Sequence, residues 1–84
     1  MKTVDIYTLD HCPYCHRAMA LLKQKDIPFV QHRVDGNDAL RTELVERTGR
    51  RTVPQIFIGG QSIGGCDDLY ALEAQGKLEA LLAD

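Results

Sequence analysis

Residues 3–22 read TVDIYTLDHCPYCHRAMALL, and this stretch decides the fold because its periodicity changes around two cysteines. Before the cysteines, residues alternate in polarity as on a β-strand, with Val4 and Ile6 on one side. After Pro13, apolar residues recur at helical spacing, and a proline suits the first turn of a helix, where its missing N–H has no partner. The stretch therefore predicts a strand followed at once by a helix, with Cys12 at the junction.

The rest of the chain continues this alternation. Strands are predicted over residues 3–9, 29–34, 55–58 and 61–63, and helices over residues 13–25, between a cap at Asn37 or Asp38 and Gly49, over 67–75, and around Leu78, Leu81 and Leu82. Two strands joined through a helix normally lie parallel, whereas a Gly-Gly pair joins the last two strands as a hairpin. We expect an α/β fold with a small, four-stranded mixed sheet and helices on both faces.

Composition excludes several classes of function. The chain has 84 residues, 44 % hydrophobic and 26 % charged, and its net charge of −2 provides no basic surface for nucleic acid or an anionic membrane. It shows neither a signal peptide nor a run long enough to span a bilayer. We therefore expect one domain over residues 1–84 in the cytoplasm, where three cysteines do not suggest a disulfide framework.

The two cysteines of CPYC predict redox chemistry. At the start of a helix, free N–H groups and the helix dipole favour a thiolate at Cys12. Cys15 lies one turn later on the same face, close enough to form a disulfide with it. An exposed nucleophilic thiol backed by a second one is what reversible thiol–disulfide exchange requires.

Other interpretations of the cysteines have less support. A structural zinc site needs four ligands, and the chain offers one close pair, so no metal is expected. A disulfide across three residues would constrain the unfolded chain little. Cys66 is interpreted as a small apolar residue without chemistry, and the three histidines, His11, His16 and His32, as solvated surface groups.

A second stretch, RRTVPQIFIGGQSIGGCDDL at residues 50–69, suggests a ligand. Pro54 holds Val53 extended and is a candidate for a cis bond, which would leave the Val53 backbone free to pair with an extended peptide. The N–H groups of Cys66 and Asp67 begin a helix and form a cradle for a carboxylate, while the Asp67 side chain can hold an ammonium group. Such a ligand is an extended peptide that carries a sulfur and that has a carboxylate and an ammonium group on one carbon. These features together describe glutathione.

The motifs CPYC, TVPQIFI and IGGCDDL together resemble the dithiol glutaredoxins of bacterial type over nearly the whole chain. The resemblance implies a thioredoxin fold and glutathione-dependent reduction of disulfides and glutathionylated thiols. It implies that Cys12 is the nucleophile and Cys15 the resolving cysteine. It also implies the glutathione contacts: Tyr14 beside the ligand, Thr52, Val53 and Pro54 along its backbone, and Gly65, Cys66 and Asp67 at its γ-glutamyl end.

The chain departs from the family pattern at one position. Many members carry a lysine three residues before the first cysteine, where this chain has Leu9. Arg41 falls where relatives often have a group that reaches the glycine carboxylate of glutathione, and Arg50 or Arg51 could assist. An ordinary solvated helix residue is an equally good interpretation of Arg41.

The resemblance also bears on partners and on alternative functions. It implies a monomer that needs no bound cofactor, uses glutathione as co-substrate and acts on client proteins, of which ribonucleotide reductase is a candidate. One alternative is a redoxin reduced by thioredoxin reductase; GGCDD argues against it, while Leu9 keeps it open. A second is a dimer that shares an iron–sulfur cluster, against which Pro13 argues, because the members noted for this usually have glycine or serine in the motif.

Overall fold

All 84 residues are described by a computed structural model. Its elements are β1 (Val4–Thr8), α1 (Pro13–Gln24), β2 (Val30–Arg33), α2 (Asp38–Thr48), β3 (Gln55–Ile58), β4 (Gln61–Gly64), α3 (Cys66–Ala74) and α4 (Leu78–Leu82). Every predicted element is present, and its bounds agree with the prediction to within one residue. None of these helices has both the length and the apolar character needed to cross a membrane.

The four strands form one mixed sheet in the order β2-β1-β3-β4. β1 pairs with β2 in parallel and with β3 in antiparallel orientation, so that Ile6 lies opposite Ile56 of β3. β3 and β4 form the antiparallel hairpin that the Gly-Gly pair predicts. This arrangement brings the end of β1 and the start of β3 to the same edge of the molecule.

Helices cover both faces of the sheet, as predicted. Val4 and Ile6 face the larger core cluster, which α1, α3 and α4 complete. Tyr7 points to the opposite face and packs with Phe57 and with Leu44 of α2 in a smaller cluster. The alternation along β1 therefore divides its side chains between two cores.

Local capping explains where α2 begins and ends. The Asn37 side chain accepts a hydrogen bond from the Leu40 backbone N–H at 3.0 Å, so Asn37 is the N-cap. Gly49 ends the helix in the left-handed conformation, with φ of 71°. On the side of α2 that packs against the sheet, Leu44 is buried and Leu40 is half-buried.

The prediction that all three histidines are solvated holds only in part for His32, whose side chain is 32 % exposed. Parallel pairing sets His32 opposite Tyr7, and the two rings stack with their centroids 4.5 Å apart. His32 Nε2 also lies 2.8 Å from Oδ1 of Asp5, which is two residues before Tyr7 on the same face of β1. His11 and His16 are exposed.

Candidate active site

Cys12 occupies the N-cap position of α1, in the connection from β1 to this helix. Its backbone is extended, with φ of −126°, and its Sγ accepts a hydrogen bond from the Cys15 N–H at 3.2 Å. The sulfur thus takes the place that a serine or aspartate oxygen takes in an ordinary helix cap. The positive end of the helix dipole favours a negatively charged sulfur there.

Cys15 lies on the first turn of α1 and is completely buried. Burial, and then the hydrogen bond to Cys12, raise the pKa of Cys15 to about 12, although the Leu9 backbone opposes this shift. Both cysteines carry free thiols in this structure. The two sulfurs therefore differ in chemical character, since one is accessible at a helix start and the other is buried as a neutral thiol.

The segment before β3 lies beside Cys12. The Val53–Pro54 peptide bond is cis, as the sequence predicts. The Val53 carbonyl oxygen lies 3.8 Å from Cys12 Sγ and accepts a hydrogen bond from its thiol. Thr52 is exposed and Val53 half-buried, so this backbone is open to a ligand close to the Cys12 sulfur.

The start of α3 lies on the other side of the Thr52–Pro54 segment. A Cβ on Gly65 would lie 3.2 Å from the Pro54 carbonyl oxygen, so the two backbones approach closely there. The Asp68 carboxylate accepts a hydrogen bond from the Gly65 N–H at 2.9 Å. The next N–H groups, of Cys66 and Asp67, lie in the first turn of α3 and have no acceptor within the helix.

These segments line a groove of about 360 Å³. It brings together seven of the predicted ligand-binding residues, from three separate parts of the chain: Tyr14, Thr52, Val53, Pro54, Gly65, Cys66 and Asp67. Arg41 lies elsewhere, in a neighbouring cavity of about 230 Å³ that it lines with Arg50 and Arg51. Arg50 and Val53 border both spaces, so the cavity continues the groove rather than standing apart from it.

Two groove residues, Gln55 and Asp68, were not identified from the sequence. Gln55 is 1 % exposed and donates a hydrogen bond from Nε2 to the Thr52 carbonyl oxygen at 3.0 Å. The sequence feature that could have identified Gln55 is a polar residue at the start of an otherwise apolar strand. For Asp68, the signal was its place three residues after a helix N-cap, where an acidic side chain commonly returns to the cap N–H.

Three further side chains define the surroundings. Leu9 is half-buried and packs against the smaller core cluster, so this position extends the core instead of presenting a cation. Tyr14 is 55 % exposed at the groove, and the guanidinium of Arg17 lies 5.8 Å from its ring centroid. Cys66 is buried, which raises the pKa of its thiol. No group of three or more His, Cys, Asp or Glu side chains is arranged to hold a metal ion.

Comparison with known proteins agrees with this geometry. The glutaredoxin family model matches residues 4–63. Glutaredoxin 3 of Escherichia coli K12 is 60 % identical over 82 residues, which cover 98 % of this chain and 99 % of that protein. Glutaredoxin of Pseudomonas aeruginosa is 53 % identical over 83 residues, or 99 % of each chain.

Solved structures give the same result. The solution structure of glutaredoxin from Brucella melitensis has a TM-score of 0.87 at 55 % identity and covers 98 % of this chain and 89 % of that one. The crystal structure of a buckwheat glutaredoxin–glutathione complex has a TM-score of 0.89 at 35 % identity, over 94 % of this chain and 74 % of that one.

The chain therefore belongs to the glutaredoxin family and has the thioredoxin fold. It is a thiol–disulfide oxidoreductase whose Cys12 and Cys15 form the CxxC motif. The similarities do not favour a thioredoxin-reductase-linked redoxin or a cluster-binding dimer.

Proposed function

We propose that this protein uses glutathione to reduce glutathione mixed disulfides and protein disulfides through Cys12 and Cys15. One observation carries the proposal: the Cys12 sulfur, at a helix start, lies 3.8 Å from the Val53 carbonyl oxygen, which borders a groove suited to an extended peptide. The buckwheat relative, solved as a complex with glutathione, supports the choice of ligand.

In the first branch of the reaction, glutathione is delivered on the substrate. The Cys12 thiolate attacks the glutathione sulfur of a mixed disulfide, a new S–S bond forms, and the target leaves as a thiolate that takes up a proton. A second glutathione thiolate then attacks the glutathione sulfur bound to Cys12. Glutathione disulfide leaves and the Cys12 thiolate is restored.

In the second branch, the substrate is a protein disulfide. Cys12 attacks one of its sulfurs and forms a mixed disulfide with the client. Cys15 loses its proton, attacks the Cys12 sulfur and releases the second client thiolate, which leaves a Cys12–Cys15 disulfide. Two glutathione molecules then reduce that disulfide and become glutathione disulfide.

The groove residues have separate roles in this proposal. The Val53 backbone, fixed beside Pro54, pairs with the backbone of glutathione, and Tyr14 covers one side of the ligand. The N–H groups of Cys66 and Asp67 receive the γ-glutamyl carboxylate, close to Gly65, and the Asp67 carboxylate receives the ammonium group. Thr52 contributes its backbone next to Val53.

Arg41 has a role at the opposite end of the ligand. The cavity that it lines with Arg50 and Arg51 adjoins the groove at Val53, and a concentration of guanidinium groups favours a carboxylate. We therefore assign the glycine carboxylate of glutathione to this cavity. Since Leu9 supplies no cation, Arg41 carries more of this interaction here.

The cellular setting is part of the same proposal. We infer that residues 1–84 act as one monomeric domain in the cytoplasm, where a glutathione pool is available to reduce the pair, and that no bound cofactor or metal takes part. The clients are disulfide-containing or glutathionylated proteins, with ribonucleotide reductase as a candidate.

One assay tests the proposal directly. The protein is given a glutathione mixed disulfide and NADPH, with either glutathione and glutathione reductase or thioredoxin reductase as the source of electrons. We expect turnover with glutathione and none with thioredoxin reductase alone. Turnover that depends on thioredoxin reductase and not on glutathione would contradict the proposal.

A further inference from the structure

Gln55 is a buried polar residue whose hydrogen bonding is incomplete. Its side chain is 1 % exposed at the start of β3, directly after Pro54. Nε2 donates to the Thr52 carbonyl oxygen at 3.0 Å and contacts the Thr52 hydroxyl at 3.3 Å, whereas Oε1 is buried without any partner. A buried oxygen without a donor destabilises the fold, so the residue at this position calls for an explanation other than stability.

The polar groups of Thr52 do not depend on Gln55 for hydrogen-bond partners. Thr52 is exposed, and water can therefore bond to its carbonyl group and hydroxyl in place of the amide. What Gln55 adds is a fixed position for the Thr52 backbone. The next residue is Val53, whose carbonyl oxygen lies 3.8 Å from Cys12 Sγ.

We propose that Gln55 is a positioning residue that holds the Thr52–Val53 backbone at the distance from Cys12 that attack on a glutathione sulfur requires. The inference rests on the proposed function, because it takes glutathione as the ligand of the groove. Gln55 itself, being buried, contacts no reacting atom. It acts through its hydrogen bonds to Thr52, and its unpaired Oε1 lowers the stability of the fold.

A positioning role and a structural role predict different results. If Gln55 only supported the fold, its loss would lower stability and impair every reaction of the protein together. If it positions the backbone, an apolar residue of similar volume removes the unpaired oxygen and leaves the fold at least as stable. Glutathione-dependent turnover then falls while the intrinsic reactivity of Cys12 is retained.

The test uses Gln55→Met, which is close in volume, and Gln55→Val, whose branched side chain suits a buried strand. Gln61→Met, on an exposed glutamine of β4, is the matched control. Three quantities are measured on reduced protein: Tm, the rate at which iodoacetamide alkylates Cys12, and kcat/KM for a glutathione mixed disulfide. Iodoacetamide is small and does not need the groove, so its rate reports the thiol alone.

We expect kcat/KM to fall about tenfold in both Gln55 variants, because a displaced Val53 backbone weakens its own hydrogen bond to glutathione, and to stay unchanged in Gln61→Met. Tm should be equal to or above that of the wild type, and alkylation should remain within about twofold. The inference is overturned if kcat/KM is unchanged in a folded Gln55 variant, or if Tm and alkylation decline along with it. A wild type that does not use glutathione contradicts the proposed function instead.

Discussion

The N–H of Cys15 donates a hydrogen bond to Cys12 Sγ at 3.2 Å, so the first turn of α1 stabilises one sulfur of the pair while it buries the other. A single helical turn thus gives two identical residues different chemistry. Cys12 is half-buried beside the groove, and in the proposed mechanism Cys15 reacts only with a sulfur already attached to Cys12.

Substitution of each cysteine separates the two branches of the reaction. Cys12→Ser should abolish both, because no thiolate remains at the helix start to attack a substrate sulfur. Cys15→Ser should retain turnover of glutathione mixed disulfides, which needs only Cys12 and free glutathione, and should slow reduction of a protein disulfide markedly. Both rates are measured with the same glutathione-coupled assay.

The control for this pair is Cys66→Ser, which should leave both reactions largely intact, since the Cys66 thiol is buried and its pKa is raised by that burial. Equal loss of both activities in a folded Cys15→Ser variant would contradict the two-branch scheme.

The buried Cys15 thiol should make the stability of the reduced protein depend on pH. Burial raises the pKa of Cys15 from an ordinary value of 9.0 to about 12, so the folded state holds the proton more tightly than the unfolded chain. The resulting stabilisation is complete below about pH 9 and is lost as the pH rises towards 12. We expect the free energy of unfolding, measured with urea under reducing conditions, to decrease over this range less in Cys15→Ala than in the wild type. Identical pH dependence in both proteins would mean that Cys15 titrates normally in the fold.

Asp67 and Asp68 are adjacent but should affect different properties. Asp67→Asn should weaken catalysis with glutathione by about 1–3 kcal/mol in transition-state free energy, because the substrate ammonium loses a charged partner. Its Tm should change little, since the side chain is exposed. Asp68→Ala should instead lower stability by about 0.5–2 kcal/mol, because it removes the oxygen that accepts the hydrogen bond from the Gly65 N–H at the start of α3. Each variant is the matched control of the other, and an exchange of the two effects would refute the assignment.

Arg41→Gln should reduce kcat/KM for glutathione substrates by about 0.5–1 kcal/mol, as expected for a partly exposed charge that meets a carboxylate. The loss should be larger at low ionic strength, where the interaction is screened less. Lys23→Gln, which removes an exposed charge from the last turn of α1, is the control and should have no such effect. If both variants lose activity equally at every salt concentration, only net charge matters and Arg41 has no specific role.

The elements of the fold could be predicted from the sequence because their causes are local. The alternation of residues 4–8, the proline at the start of α1, the Asn37 cap and the Gly49 stop act over a few residues each. The CPYC motif likewise carries its own helix start, so the position of Cys12 at the N-cap of α1 follows from neighbouring residues alone. These features require no knowledge of what packs against them.

The groove was decided by tertiary structure, because antiparallel pairing of β1 with β3 brings Cys12 beside Val53, 41 residues later. The same packing buried Cys15 and stacked His32 on Tyr7, and a local pattern contains neither contact. It also set Arg41 in the adjoining cavity rather than in the groove, since the packing of α2 determines where its side chains lie. The sequence by itself determined which residues can do the chemistry; long-range strand pairing and burial decided their distances and protonation, because both depend on atoms remote in the chain.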